Sequence, residues 1–160
     1  MITLFVWPEI AVRETTVDFK DSLVISITSP GSEHPKIKGN NVHKFHFHDI
    51  REPIELFDGS TWLPMSESVA EAIAQVAVKN MDKNVKNVWL IHCEAGISRS
   101  PGVAIGLSRY VNFNLTTDEL IKQHPCYNKY VCKLVEKAMR KEIDKLEKDL
   151  SGGCDGFDGF

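Results

Sequence analysis

The sequence predicts an α/β domain with a mostly parallel central sheet of about four to five strands flanked by helices. Three observations predict it. Short β-branched runs alternate with segments of helical periodicity, as a parallel sheet with crossover helices requires. The run "NVWLIH" (87–92) is continuously apolar, like a strand covered on both faces. The chain has 160 residues, 42% of them hydrophobic, which suits one core. A single domain is expected over 1–150, with a mobile tail over 151–160, "SGGCDGFDGF".

The elements follow in order. "ITLFVW" (2–7) and "SLVISIT" (22–28) read as buried strands ended by turn residues. "SPGSEHPKIKGNN" (29–41) reads as a loop, dense in Pro, Gly, Ser and Asn. "VHKFHFHDI" (42–50) alternates, with Phe45 and Phe47 on one side and His46 and His48 on the other, so it predicts a strand with one buried face. "REPIELFDGSTWLP" (51–64) reads as a loop turning at Asp58-Gly59. A helix is expected from about Ser66 to Met81, with Val69, Ile73, Val76 and Ala77 on one face. After the strand at 87–92 comes a loop, and then Val103, Ala104, Leu107, Tyr110 and Val111 at helical spacing. Pro101 suits the first turn, where its missing N–H costs nothing. Thr116-x-x-Glu119 is a capping-box pattern, and His124-Pro125 ends that short helix. Asn128 is placed to cap a long last helix. Its apolar stripe runs through Val131, Leu134, Val135, Ala138, Met139, Ile143, Leu146 and Leu150.

Composition excludes several classes. The net charge of −3 argues against nucleic acid and polybasic membrane anchoring. No apolar run approaches the roughly 18 residues of a membrane span. "MITLFVWPEI" has no basic flank and reads as a strand rather than a signal peptide. The four cysteines, Cys93, Cys126, Cys132 and Cys154, show no CxxC spacing, so free thiols in a reducing cytoplasm are expected. Cys126 and Cys132 read as structural. His43, His46 and His48 do not form a metal set, because alternation divides them between two faces; no metal or cofactor is expected. Trp7 and Trp62 read as packing residues.

The stretch that carries chemistry is "HCEAGISRS" (92–100). A loop from a strand end to a helix start directs successive N–H groups at one point, and the helix terminus adds partial positive charge. Gly96 permits the tight turn. Arg99 offers a planar fork that matches two phosphate oxygens. The same field favours the thiolate of Cys93. An unperturbed thiol is only a few per cent ionised at neutral pH. Full ionisation therefore gains roughly thirty-fold in nucleophile, about 2 kcal/mol. The larger contribution to phosphoryl transfer must come from the fixed N–H groups and Arg99.

His92-Cys93-x5-Arg99-Ser100 resembles the phosphate-binding loop of the cysteine-dependent protein tyrosine phosphatase superfamily, and "HPCYNKYV" (124–131) resembles the Pro and Asn before the last helix of its dual-specificity members. The resemblance spans roughly residues 42–140. It implies a small dual-specificity-like phosphatase fold. It also implies that Cys93 is the nucleophile, Arg99 the phosphate clamp and Ser100 the hydroxyl that helps release the thiolate. Glu94, Ala95, Gly96, Ile97, Ser98 and Arg99 would supply the substrate cradle, and His92 would orient the loop. The general acid falls at Asp49 by position after a strand, with Asp58 in the following loop as competitor. Asp49 also fits a plain strand-end cap.

The implied substrate is a phosphorylated protein, with phosphotyrosine favoured, and a monomer is expected. The loop lacks the lysines of phosphoinositide phosphatases, and no segment resembles the phosphotyrosine-recognition loop of classical tyrosine phosphatases. A shallow cleft follows, with 51–64 as a lid or wall. Two other readings stay open: a rhodanese-like sulfurtransferase, which needs no Asp49, and a catalytically silent phospho-binding module.

Overall fold

The computed structural model describes residues 1–82 and 88–152. Asn87, Cys154 and the tail from 153 onward therefore lie outside the described residues. The fold is α/β. Strands β1 (Thr3–Pro8), β2 (Leu23–Thr28), β3 (Val42–His46) and β6 (Val88–Cys93) form an all-parallel sheet in the order β1-β6-β2-β3. Two shorter strands, β4 (Ile54–Glu55) and β5 (Thr61–Trp62), make a separate antiparallel hairpin. The helices are α1 (Glu9–Glu14), α2 (Glu67–Asn80), α3 (Arg99–Ser108), α4 (Thr117–Gln123) and α5 (Lys129–Gly152). Among the described residues no helix is long and apolar enough to cross a membrane.

The central strands are β6 and β2, and every residue of β2 is buried. Alternation divides their side chains between two layers. Leu23, Ile25, Ile27, Trp89, Ile91 and Cys93 face the larger core, which α2, α3 and α5 cover. Val24 and Leu90 face a smaller core with Val12 of α1 and Phe19. Each fully buried Ile or Leu contributes on the order of 1.5–3 kcal/mol.

The helix starts behave as the sequence indicates. The Ser66 hydroxyl accepts from Val69 N, Thr116 and Glu119 form a reciprocal capping box, and Asn128 Oδ1 accepts from Val131 N. Pro101 lies in the first turn of α3. Several expectations need correction. The third strand ends at His46 rather than Ile50: the Phe47 N–H still reaches Thr28 O of β2, but the His48 N–H turns to Leu63 O, just after the hairpin. The segment 51–64 contains the β4–β5 hairpin, whose strands are too short for a period-2 signal. Trp62 is 42% exposed and stacks on His48 instead of entering a core. In α5, Leu146 and Leu150 are exposed, since the helix continues to Gly152 past the edge of the layer it covers. Helix α1 has six residues, too few for a legible apolar stripe.

Candidate active site

Cys93 ends β6, and Arg99 opens α3. The loop between them turns back at Gly96, whose φ is +68°. A Cβ there would stand 2.6 Å from Pro8 N, so glycine is required by space as well as by backbone angle. The loop is thus pressed against the end of β1, where Glu9 N also donates to Glu94 O at 3.0 Å.

The turn aims donors at sulfur. Gly96 N–H donates to Cys93 Sγ at 3.2 Å, and Ser100 Oγ lies 3.1 Å from the same atom. With Cys93 ionised, both act as donors to one thiolate. Cys93 is 2% exposed, so these bonds are not diluted by water.

Arg99 is 6% exposed and tightly located. One terminal nitrogen donates to Ser29 Oγ at 3.0 Å and to Phe47 O at 2.9 Å. The other faces a Glu94 carboxylate oxygen at 3.6 Å, and the second Glu94 oxygen accepts from Ser29 N at 3.3 Å. The guanidinium is therefore fixed by the residues that immediately follow β2 and β3 and by the loop itself. Pre-positioned charge of this kind costs no reorganisation during reaction.

Asp49 and Asp58 are separated by the structure. Asp49 Oδ1 accepts from Ser98 Oγ of the loop at 2.7 Å and from Asn128 Nδ2 at 3.0 Å. Asp58 sits at the exposed hairpin tip and binds the hydroxyl and N–H of Ser60 at 2.5 and 2.9 Å. Those two bonds hold its carboxyl below the usual aspartate range. Asp49 therefore lies at the loop, and Asp58 is engaged in its own turn.

His92 points away from Cys93, into the layer on the other side of the sheet. It is fully buried, and its Nε2 lies 2.6 Å from Ser26 Oγ on the neighbouring strand. Its Nδ1 lies 3.4 Å from Cys93 O. Burial holds His92 below the ordinary histidine value, so it is neutral. Ile97 of the loop is 55% exposed, which gives the rim an apolar residue. Ala95 completes the turn.

Sequence reasoning missed four contributors: Ser29, the Phe47 carbonyl, Ser26, and Asn128 in its second role as donor to Asp49. The first three need knowledge of strand register. Asn128 was visible as a cap, but one residue doing two tasks leaves no separate trace. Of the three histidines of segment 42–50, His46 bonds Thr28, His43 bonds Asn41 and His48 stacks on Trp62, so they do not converge. Among the described residues no group of three or more metal-ligating side chains gathers.

Scans against protein-family models, curated proteins and solved structures return no match.

Proposed function

We propose that this chain is a cysteine-based phosphoric monoester hydrolase acting on phosphorylated proteins, hydrolysing phosphotyrosine and, through a shallow cleft, phosphoserine and phosphothreonine. The observation that carries this reading is the convergence on Cys93 Sγ of the Gly96 N–H and the Ser100 hydroxyl, beside a buried arginine at a helix start. A thiolate, a ring of donors and a fixed guanidinium are what in-line attack on phosphorus requires.

In the first step the Cys93 thiolate attacks phosphorus. The S–P bond forms as the P–O bond to the substrate breaks, and Asp49 gives its proton to the leaving oxygen. In the second step water attacks the cysteinyl phosphate, Asp49 takes a proton from that water, and the S–P bond breaks. Ser100 then donates to the departing thiolate. Arg99 and the loop from Glu94 to Ser98 hold the phosphoryl oxygens in both steps. His92 stays neutral and orients the loop. The residues present supply the whole cycle without a cofactor. Cysteine usage supports a reducing, cytoplasmic setting, and the mild negative charge argues against nucleic-acid or membrane partners.

The test is hydrolysis of p-nitrophenyl phosphate and of an alkyl phosphate by wild type, Cys93→Ser, Asp49→Asn and Asp58→Asn between pH 5 and 8. Wild type turns over both, and Cys93→Ser neither. Asp49→Asn loses about 10²-fold or more on the alkyl ester, whose leaving group needs the proton, and less on the aryl ester. Asp58→Asn matches wild type. An inactive wild type that transfers sulfur from thiosulfate would replace this reading with the sulfurtransferase. Inactivity together with tight phosphopeptide binding would replace it with the binding module.

A further inference from the structure

The sheet face opposite Cys93 carries polar side chains of which only His92 has a part in the chemistry above. Alternation sends Ser26, Thr28 and His92 to that face, and the register sets Ser26 beside His92 and Thr28 beside His46. His34, on the loop after β2, folds back over this row. Its Nδ1 lies 2.7 Å from Ser26 Oγ, and its Nε2 lies 3.2 Å from His46 Nε2. Thr28 Oγ1 lies 3.0 Å from His46 Nδ1. A continuous chain thus runs from exposed His46 through His34 and Ser26 to buried His92.

The proton directions follow from its inner end. The carbonyl of Cys93 can only accept, so His92 Nδ1 carries the hydrogen. In neutral His92 the Nε2 is then a lone pair, and Ser26 donates to it. Ser26 Oγ in turn accepts from His34 Nδ1–H. That leaves His34 Nε2 as an acceptor, with His46 Nε2 at 3.2 Å and Thr28 Oγ1 at 3.3 Å as the groups that face it. From His34 to the Cys93 carbonyl every bond donates inward. The reverse order would set a nitrogen lone pair against the Cys93 carbonyl.

We propose that Ser26 and His34 are positioning residues that act through His92 on the Cys93–Glu94 peptide and so set how readily the Cys93 thiol ionises. The inference rests on Cys93 being the reactive thiol of the proposed function. A bond onto the Cys93 carbonyl polarises that peptide and strengthens its N–H, that of Glu94, as a donor within the loop. Successive bonds polarise one another in the same sense. Burial holds His34 low as well, down to about 4, with His46, Lys44 and His92 opposing its charge and Glu9 alone favouring it. A neutral His34 is what the inward order needs. The contact to the Cys93 carbonyl is the longest link, so the effect is a few-fold rather than orders of magnitude.

The test is the rate of Cys93 alkylation by iodoacetamide at pH 6 and pH 9, read by mass spectrometry on wild type, His34→Asn, His34→Gln and His34→Leu, with thermal unfolding as a folding check. An asparagine amide can take the place of Nδ1 and donate to Ser26; a glutamine amide reaches the Nε2 position instead. The ratio of the rate at pH 6 to that at pH 9 is expected to fall about three- to ten-fold in His34→Gln and His34→Leu and to stay near wild type in His34→Asn. Equal ratios in all four proteins, or an asparagine variant as low as the leucine one, would overturn the proposal. The readout needs no turnover. A flat pattern in an active enzyme sinks the relay alone, and an inactive enzyme with the pattern intact sinks the phosphatase reading alone.

Discussion

The Asn128 side-chain nitrogen lies 3.0 Å from the Asp49 carboxylate, across 79 residues of sequence. The same asparagine caps α5 through its Oδ1, and its N–H donates to Ser98 O at 2.9 Å. One residue therefore joins the candidate acid, the loop and the last helix.

Asn128→Asp separates these tasks. The cap acceptor survives, so the denaturant midpoint changes little, whereas Asn128→Ala loses about 1 kcal/mol. The aspartate variant places a second carboxylate against Asp49, which favours the protonated form of the pair. The descending, high-pH limb of the pH–rate profile is expected to move to higher pH in Asn128→Asp. An unmoved limb would remove Asp49 from the acid's role.

Arg99→Lys keeps the charge and loses the fork. A lysine cannot hold Ser29 and Phe47 O while presenting further planar donors. The expected loss in kcat/KM on an aryl phosphate is about 10²- to 10³-fold with a normal fold by circular dichroism. A loss under five-fold would show that charge alone suffices.

Two glycines are expected to fail differently. Gly96→Ala strikes backbone at 2.6 Å and takes a left-handed φ, so activity is lost with the loop. Gly102, within α3, has the carbonyl oxygen of Asn128, the residue before α5, at 2.7 Å from where a Cβ would be, and Val131 of α5 at 3.2 Å. Gly102→Ala therefore wedges the two helices apart and lowers Tm, at a cost of about 1–3 kcal/mol. Thermal scans paired with activity assays separate the two.

Thiol chemistry should sort the cysteines. Burial, with Glu136 beside it, pushes the Cys132 thiol up to about 12. Iodoacetamide at pH 7 is expected to label Cys93 and exposed Cys126 while leaving Cys132 intact in the folded protein. Labelling of Cys132 at the rate of Cys126 would contradict its environment.

Stability is expected to fall in mild acid. Burial holds His92 and His34 below their unfolded values, so the unfolded chain binds more protons as pH falls below about 6.5. Both contributions are complete above that pH and fall on descent, that of His34 until about 4, where it titrates in the folded protein. Urea midpoints at pH 7.5, 6 and 5 should decline, and His34→Asn should flatten the decline. Parallel slopes in the two proteins would deny His34 a share.

The sheet and the loop were legible because their signals are local. A continuous apolar run, a cysteine, a glycine and an arginine at fixed spacing depend on no other part of the chain. The capping box at Thr116 and the cap at Asn128 were legible for the same reason. What stayed hidden depends on which strands are neighbours. Ser26 looks like a polar interruption in "LVISIT" until β2 is set beside β6, and only then does it face His92. His34 lies in a loop with no periodicity. The hairpin at 54–62 has strands of two residues each, below the length at which alternation can be read.

The order of the sheet also bears on how the protein comes to exist. During synthesis β1, β2 and β3 leave the ribosome long before β6, yet β6 must sit between the first two. Until residue 93 has emerged, β1 and β2 have no partner in common, and each presents a bare edge. Insertion of β6 is a late, long-range pairing, the slow kind. Because that strand ends in Cys93, the sulfur proposed as nucleophile is delivered by the event that closes the sheet, and a nascent chain stalled earlier has neither.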